Sequence, residues 1–391
     1  MYLDELLYKK IKIKHLEFKI LDLVLIILIT SLGLYLRYKL YPFESQDYIQ
    51  NLSRWWDKLD AAGGIPGLKL LVGNYTQPYV YLMALGTYLP WSSLTVIKTI
   101  SVVFDLALAI IIAITVFHCT NHKTKALFAY CFTFLAPTVV MNSALWAQCD
   151  SVIMVFIALT ILFFLKDKPQ YACISFGIAM AIKIQSIFIA PVFLVLWMNR
   201  KLKLKHLLLI PLSYAICFIP TALAGGNYFD ALIFAYWQVT TTANDLSFNC
   251  ANMWAPIRSL VNYDISKSAT LLALSTTFLA AYMCIRRKLD LNKYLLISLF
   301  LLFSLIIPFM LPHMHERYYY YAEIIAIVYA MMNTKKIYVP ITIMFVSVFS
   351  YLPFLFNIEP INLSVLSIAI LILIVDLSLD VKNQLNKNSI M

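Results

Sequence analysis

Charge is scarce in this chain of 391 residues: Asp, Glu, Lys and Arg make up 13% of it, about half the share of a soluble domain. With 62% of the residues apolar, a water-soluble fold is excluded, because no globule of this length could bury so much hydrocarbon. The bilayer must act as the solvent, and one polytopic membrane domain over 1–391 is the default. Cysteine pairing is also wanting. The seven cysteines are scattered without CxxC or metal-type spacing, so neither a disulfide framework nor a thiolate site is supported. The first apolar run follows charges but has no small-residue cleavage site, and reads as a retained span.

What is abundant is apolar runs. They fall near 18–36, 94–117, 126–142, 150–165, 171–184, 186–198, 207–224, 268–285, 294–311, 318–333, 336–352 and 362–379. The expectation is an all-α polytopic membrane bundle of about twelve spans, with ten to thirteen allowed; several runs are shorter than the roughly 20 residues that a perpendicular span needs. The pair at 171–198 reads as two full spans or as a hairpin that only partly crosses.

The net charge of +11 would ordinarily suggest nucleic acid. Here the Lys and Arg residues cluster in short connections between apolar runs, which reports membrane orientation instead. If Lys9, Lys10, Lys12 and Lys14 are cytoplasmic, the connections at 118–125, 166–170, 199–206, 286–293 and 334–336 and the tail 380–391 are cytoplasmic too, and every one is basic. Both termini are then expected inside. The outer face receives a long loop at about 37–93, a short one at 143–150, the bend near 183–186, a loop at 225–267 and the HMHER stretch at 313–317. Chemistry on this side would be extracytoplasmic, where nucleotide sugars are absent.

The unusual polar residues collect on that face. In YPFESQDYIQNLSRWWDKLD the carboxylates Glu44 and Asp47 precede a run with Ile49, Leu52, Trp55 or Trp56, and Leu59 at helical spacing. That spacing predicts a short amphipathic helix on the bilayer surface with its tryptophans at headgroup level. Asp47 there is either a helix cap or a reactive carboxylate. In SALWAQCDSVI, Trp146, Gln148 and Asp150 stand where a helix emerges, and Asp150 is again a cap or a second cavity carboxylate. Lys183 and Gln185 interrupt an apolar run; the lysine either snorkels to the interface or binds a ligand. Lys98 and Asp105 lie seven apart on roughly one face of the second span and are expected to pair with other buried polar groups. Asp230, Asp245 and aromatics in 225–267 could wall an acceptor site.

HMHER is the densest cluster. His313 and His315 are two apart, so they cannot share a helix face as zinc-binding histidines of an HExxH motif do, and further ligands are lacking. Zinc is not expected here, and dependence on another divalent metal is left open. Arg317 offers a planar fork suited to phosphate, His313 and His315 could donate to the same anion, and Glu316 could pair with Arg317. The tyrosines 318–321 suit an aromatic belt.

An acidic loop after the first span, a W-x-Q-x-D segment, a Lys-x-Gln segment and a late His-x-His-Glu-Arg occur here in that order. The ordered set resembles the GT-C class of integral-membrane glycosyltransferases, and within it the bacterial relatives of the second mannosyltransferase of GPI-anchor synthesis. The resemblance covers about 35–335. It implies transfer of a hexose, with mannose the family-based guess, from a polyprenyl-phosphate donor to an acceptor hydroxyl of a glycan, lipid or protein on the outer face, usually with inversion; the richness in Lys, Ile and Asn and the lack of disulfide pairing suit a bacterial plasma membrane. It further implies Asp47 as general base with Glu44 as a possible helper, Asp150 as an orienting carboxylate, and Arg317 on the donor phosphate supported by Lys183, His313 and His315. Trp146, Gln148, Gln185 and Glu316 would line the same cavity. No cofactor is expected. A transporter or flippase is the rival from another class, but its polar groups belong near the bilayer midplane in paired repeats. A polysaccharide polymerase is a second rival, with its large outer loop usually late in the chain.

Overall fold

In the computed structural model, residues 7–13, 16–73, 75–233, 245–257, 260, 263–287 and 291–387 are described. Lys14, the 234–244 part of the outer loop suggested as an acceptor wall, Lys288 and the last four residues lie outside them. Each of the twelve apolar runs contains helix. Among the described residues, seven helices are long and apolar enough to cross a membrane, or eight if the bent pair Lys123–Phe134 and Pro137–Leu145 is one span. The bend of 43° falls where Ala136 precedes Pro137, because proline disfavours helical backbone in the residue before it. Four further apolar helices, Asp150–Leu165, Pro169–Ile182, Ile184–Met198 and Tyr320–Met332, have 10–17 residues. At 1.5 Å per residue they reach only about 20–24 Å, against about 30 Å of hydrocarbon.

Burial separates centre from rim. In its most apolar window Lys293–Met310 is 83% buried, whereas Ile20–Leu40 is 11% buried. Tyr320–Met332 is buried along nearly its whole length. Two central helices therefore flank the HMHER stretch, and rim helices such as Ile20–Leu40 turn leucine and isoleucine outward, as lipid contact requires.

Two of the short helices, Asp150–Leu165 and Tyr320–Met332, are level with their neighbours at one end. Lys125 Nζ donates to the Met331 carbonyl (2.9 Å), Lys293 Nζ to the His118 carbonyl (2.8 Å), and His118 Nε2 meets the Leu165 carbonyl (3.0 Å). Their deficit in length consequently appears at the other end. There Ser101 Oγ donates to the Gln148 carbonyl (2.6 Å) and Ser151 Oγ to the Ser101 carbonyl (3.1 Å). Ser101 lies eight residues inside the helix Ser93–Thr120, so the floor at 148–151 is recessed by about 12 Å.

Over this recess runs the first long loop. Lys98, fully buried, donates to the carbonyls of Leu40, Tyr41 and Phe43 (3.2, 2.9 and 2.6 Å). Arg37 and Asp105 form a buried ion pair at 2.9 Å, and Ser143 also donates to Asp105. These are the polar partners expected for Lys98 and Asp105, and they hold the loop against the bundle. The close approach of the first helix depends on Gly33, where an added Cβ would lie 2.5 Å from the Phe134 ring.

The amphipathic segment is helical as π-helical Tyr48–Leu52 and α-helical Ser53–Ala61, but it does not present its tryptophans to lipid headgroups. Leu52, Trp55, Trp56 and Leu59 are buried. Trp55 meets Tyr75 edge-on at 5.2 Å, so the following loop covers the apolar face that the spacing assigned to the bilayer. Near the recess Ser247–Phe248 pairs in parallel with Met314–His315, and Asn249 adds a single antiparallel bridge to His315. This pairing straps the 225–267 loop onto HMHER.

Candidate active site

Asp47 hangs from the roof of the recess and caps no helix amide. Its Oδ2 accepts from Trp146 Nε1 (2.8 Å) and from Gln148 Nε2 (2.7 Å). Both donors reach one oxygen because Ala147 between them takes φ 67°, a left-handed turn rare for a residue with a Cβ. The Gln148 amide is oriented by Tyr75, whose hydroxyl donates to Oε1 (2.7 Å). Ser45 Oγ donates to the Trp146 carbonyl (2.7 Å) and fixes the start of the segment. Oδ2 thus accepts two hydrogen bonds, while among the described residues no donor reaches Oδ1.

Asp150 is the first residue of its short helix, yet its side chain caps no amide. Oδ2 accepts from Asn142 Nδ2 (2.8 Å) and Oδ1 meets Lys183 Nζ at 3.0 Å. Lys183 sits in extended backbone between Pro169–Ile182 and Ile184–Ile189. It does not snorkel; its ammonium pairs with Asp150 and stands 5.4 Å from the Tyr75 ring centre. Gln185 Nε2 donates to the Tyr318 hydroxyl (2.7 Å), and its Oε1 has no partner.

Arg317 arrives from the opposite side. Its guanidinium carbon lies 4.8 Å from the centre of the Trp146 ring, whose other contacts are Phe354, stacked at 4.9 Å, and Tyr351, edge-on at 5.2 Å. A single indole therefore gives its N–H to Asp47 and its π-surface to Arg317. Arg317 is 8% exposed, Nε is 3.5 Å from Glu316 Oε1, and neither Nε nor Nη1 makes a hydrogen bond.

The two histidines part company. His315 stacks on Phe248 at 4.8 Å. Partial burial of a side chain that is 39% exposed, followed by the charges of Arg317 and Lys183, pushes its pKa down, so at neutral pH it offers one N–H and no charge. His313 turns away: with φ 61° it donates its backbone N–H to the Leu246 carbonyl, and Nδ1 lies 2.6 Å from the Asp245 carbonyl. Its visible role is to fasten the strap. Glu44 is exposed and stands outside the hydrogen bonds around Asp47; its charge is felt by Lys98.

The structure thus gathers Asp47, Trp146, Gln148, Asp150, Lys183 and Arg317 around one recess, with Gln185, Glu316 and His315 on its wall. Tyr75, Asn142 and Ser45 belong to the same network and carried no sequence signal strong enough to single them out, although Asn142 is a polar residue inside an apolar run. Among the described residues no three His, Cys, Asp or Glu side chains group as a metal site would. No protein-family model matches the chain, and no curated protein matches it. The recess has to be read from its own chemistry.

Proposed function

We propose that the protein is a polytopic membrane glycosyltransferase that moves a hexose from a polyprenyl-phosphate carrier to an acceptor hydroxyl on the extracytoplasmic face. One observation carries the reading: a buried arginine with two unpartnered N–H-bearing nitrogens shares an indole with a carboxylate that keeps one oxygen open. A phosphate needs the first and a nucleophilic hydroxyl needs the second. The order of motifs resembling the GT-C class supports the same assignment, with mannose as the guess for the sugar.

In this mechanism Asp47 Oδ1 accepts the proton of the acceptor hydroxyl as its oxygen attacks C1. The C1–O bond to the acceptor forms on one face of the sugar while the C1–O bond to phosphate breaks on the other. The configuration inverts and the bonding electron pair leaves on the phosphate oxygen. Trp146 and Gln148 hold Oδ2 so that Oδ1 points at the incoming hydroxyl. Arg317 meets the charge that grows on the phosphate, in a recess where water is scarce and such contacts are strong. Lys183 is committed to Asp150, so its part is to keep that carboxylate in place and add positive potential.

The proposal takes twelve crossings, with the four short helices packed in the interior; the basic connections support it with the recess outside and both termini inside. The recessed floor supports transfer over transport, since the polar groups gather at one end of the bundle. Its depth of about 12 Å also brings the reacting groups near the headgroup level of a lipid-linked donor.

The test is incubation of purified protein with a panel of polyprenyl-phosphate sugars while following release of polyprenyl phosphate. Asp47→Asn removes the open basic oxygen but can still turn its amide oxygen toward Trp146 and Gln148. It should abolish release with normal insertion and melting. Turnover near the wild-type level in Asp47→Asn, or activity with nucleotide sugars alone, would overturn the proposal.

A further inference from the structure

The loop that carries Arg317 also presses a carboxylate against it. Glu316 is 2% exposed, with Oε1 3.5 Å from Arg317 Nε and Oε2 3.9 Å from His315 Nδ1. Its backbone N–H donates to the Phe248 carbonyl (3.0 Å), so the strap fixes where the side chain starts. The groups facing it come from every neighbouring element: Asp47 from the roof, Asp150 from the floor, Tyr351 from Tyr338–Phe356 and the Cys250 thiol from the strap. Arg317 is the cation beside it, and Lys183 acts on the same cluster through Arg317 and His315.

Count the charges in this recess. Arg317 and Lys183 are positive, His315 is neutral, and Asp47, Asp150 and Glu316 can each be negative. A phosphate diester entering on Arg317 would add a further negative charge to a desolvated site that already holds more acids than bases. Like charges that close cannot all ionise, so the acid nearest to neutrality takes a proton. Asp150 is held ionised by Lys183 and Asn142, and Asp47 receives two N–H donors. Glu316 has weaker support, from Arg317 at 3.5 Å and a backbone hydrogen bond. Burial above all, opposed by Arg317, pushes its pKa up to about 7.

We infer that docking of an anionic phosphate on Arg317 is coupled to uptake of one proton by Glu316, which frees the guanidinium from its internal counter-ion. The inference rests on the phosphate-binding role proposed for Arg317. It makes Glu316 a positioning residue, setting how much of Arg317 is available and tying donor affinity to pH. The proton comes from solvent and returns there when the phosphate leaves.

The probe is the methyl diester of a short-chain polyprenyl phosphate, which carries one permanent charge and no sugar. Titration calorimetry of wild-type protein in buffers of different ionisation enthalpy reads the protons taken up. At about pH 8 uptake should approach one per probe bound, and Kd should weaken by up to roughly tenfold per pH unit above about pH 7. Glu316→Gln should show no uptake, a Kd independent of pH, and at about pH 8 binding at least as tight as wild type. Wild-type binding without proton uptake, still lost in Arg317→Ala, overturns the coupling but leaves the phosphate site standing. A probe that fails to bind, or binds wild type and Arg317→Ala alike, overturns both. If Glu316→Gln does not fold, the wild-type buffer series decides by itself.

Discussion

The arrangement around Asp47 makes a quantitative demand on two residues that never touch substrate in the proposed mechanism. Gln148→Ala deletes one of two N–H donors to Oδ2 and leaves the Trp146 indole to hold the carboxylate. A hydrogen bond to a charged group contributes about 1.5–3 kcal/mol. If that contact is at full strength only when Oδ1 is aligned for proton transfer, kcat should fall roughly 10- to 150-fold. Tyr75→Phe is milder. It removes the hydroxyl that points the Gln148 amide, a neutral hydrogen bond worth about 1 kcal/mol, so a fall of about fivefold is expected. The two effects should not add, because Tyr75 acts on Asp47 only through Gln148. In a Gln148→Ala background, Tyr75→Phe should cost almost nothing further. The assay is release of polyprenyl phosphate at saturating donor for all four members of the cycle, with melting temperatures measured alongside. Equal losses from Tyr75→Phe in both backgrounds would refute the relay, and so would a Gln148→Ala enzyme at wild-type kcat.

Three other perturbations separate the remaining roles. Arg317→Lys keeps a charge but loses the planar fork, so the donor KM should rise by at least tenfold while the melting temperature holds; an unchanged KM would remove Arg317 from the phosphate site. Lys183→Met strands the buried Asp150 carboxylate with Asn142 alone and should cost about 3–5 kcal/mol of stability, much of it restored in the Asp150→Asn/Lys183→Met pair; a double variant no more stable than Lys183→Met would show that the pair is not the reason for the loss. Glu316, whose folded pKa of about 7 exceeds the ordinary 4.5, holds more protons folded than unfolded between those values, so its contribution to stability declines as pH rises through that window. Glu316→Gln should therefore melt above wild type at about pH 8, with the gap closing as pH falls toward about 4.5; a gap that does not change with pH would assign the effect to packing.

How much of this could be read in the sequence differs by residue for physical reasons. Helices in lipid must satisfy their own backbone, so long apolar runs and basic connections are legible without any fold. The helix carrying Trp55 and Trp56 was legible too, but its partner was not: a helical spacing of apolar residues says that a face is covered, and here Tyr75 covers Trp55 where lipid was expected. Asp47, Gln148 and Arg317 stood out because polar groups are costly beside apolar spans. The same reasoning did not separate His313 from His315. Two positions apart in an irregular loop, they point to different neighbours, and only the strap pairing at Met314–His315 decides which enters the recess. Tyr75 could not be singled out among 25 tyrosines, since its importance lies wholly in one contact across the chain.

The buried charges also explain where binding energy is kept. Arg37 is answered by Asp105, Lys98 by three carbonyls, and Lys183 by Asp150. Each of these cations fixes the walls of the recess and has its donors occupied at close range. Arg317 differs, with two nitrogens unpartnered and its nearest acid at 3.5 Å. Leaving a buried donor unsatisfied costs about 1–3 kcal/mol, more when it is charged. In the proposed mechanism a phosphate on Arg317 supplies the acceptors that these two nitrogens need. An arginine meant only to hold helices together would gain stability by moving closer to Glu316. The Phe248 carbonyl holds the backbone N–H of Glu316, so the strap sets where that side chain starts, and in the proposed mechanism this structural contact positions the carboxylate beside Arg317.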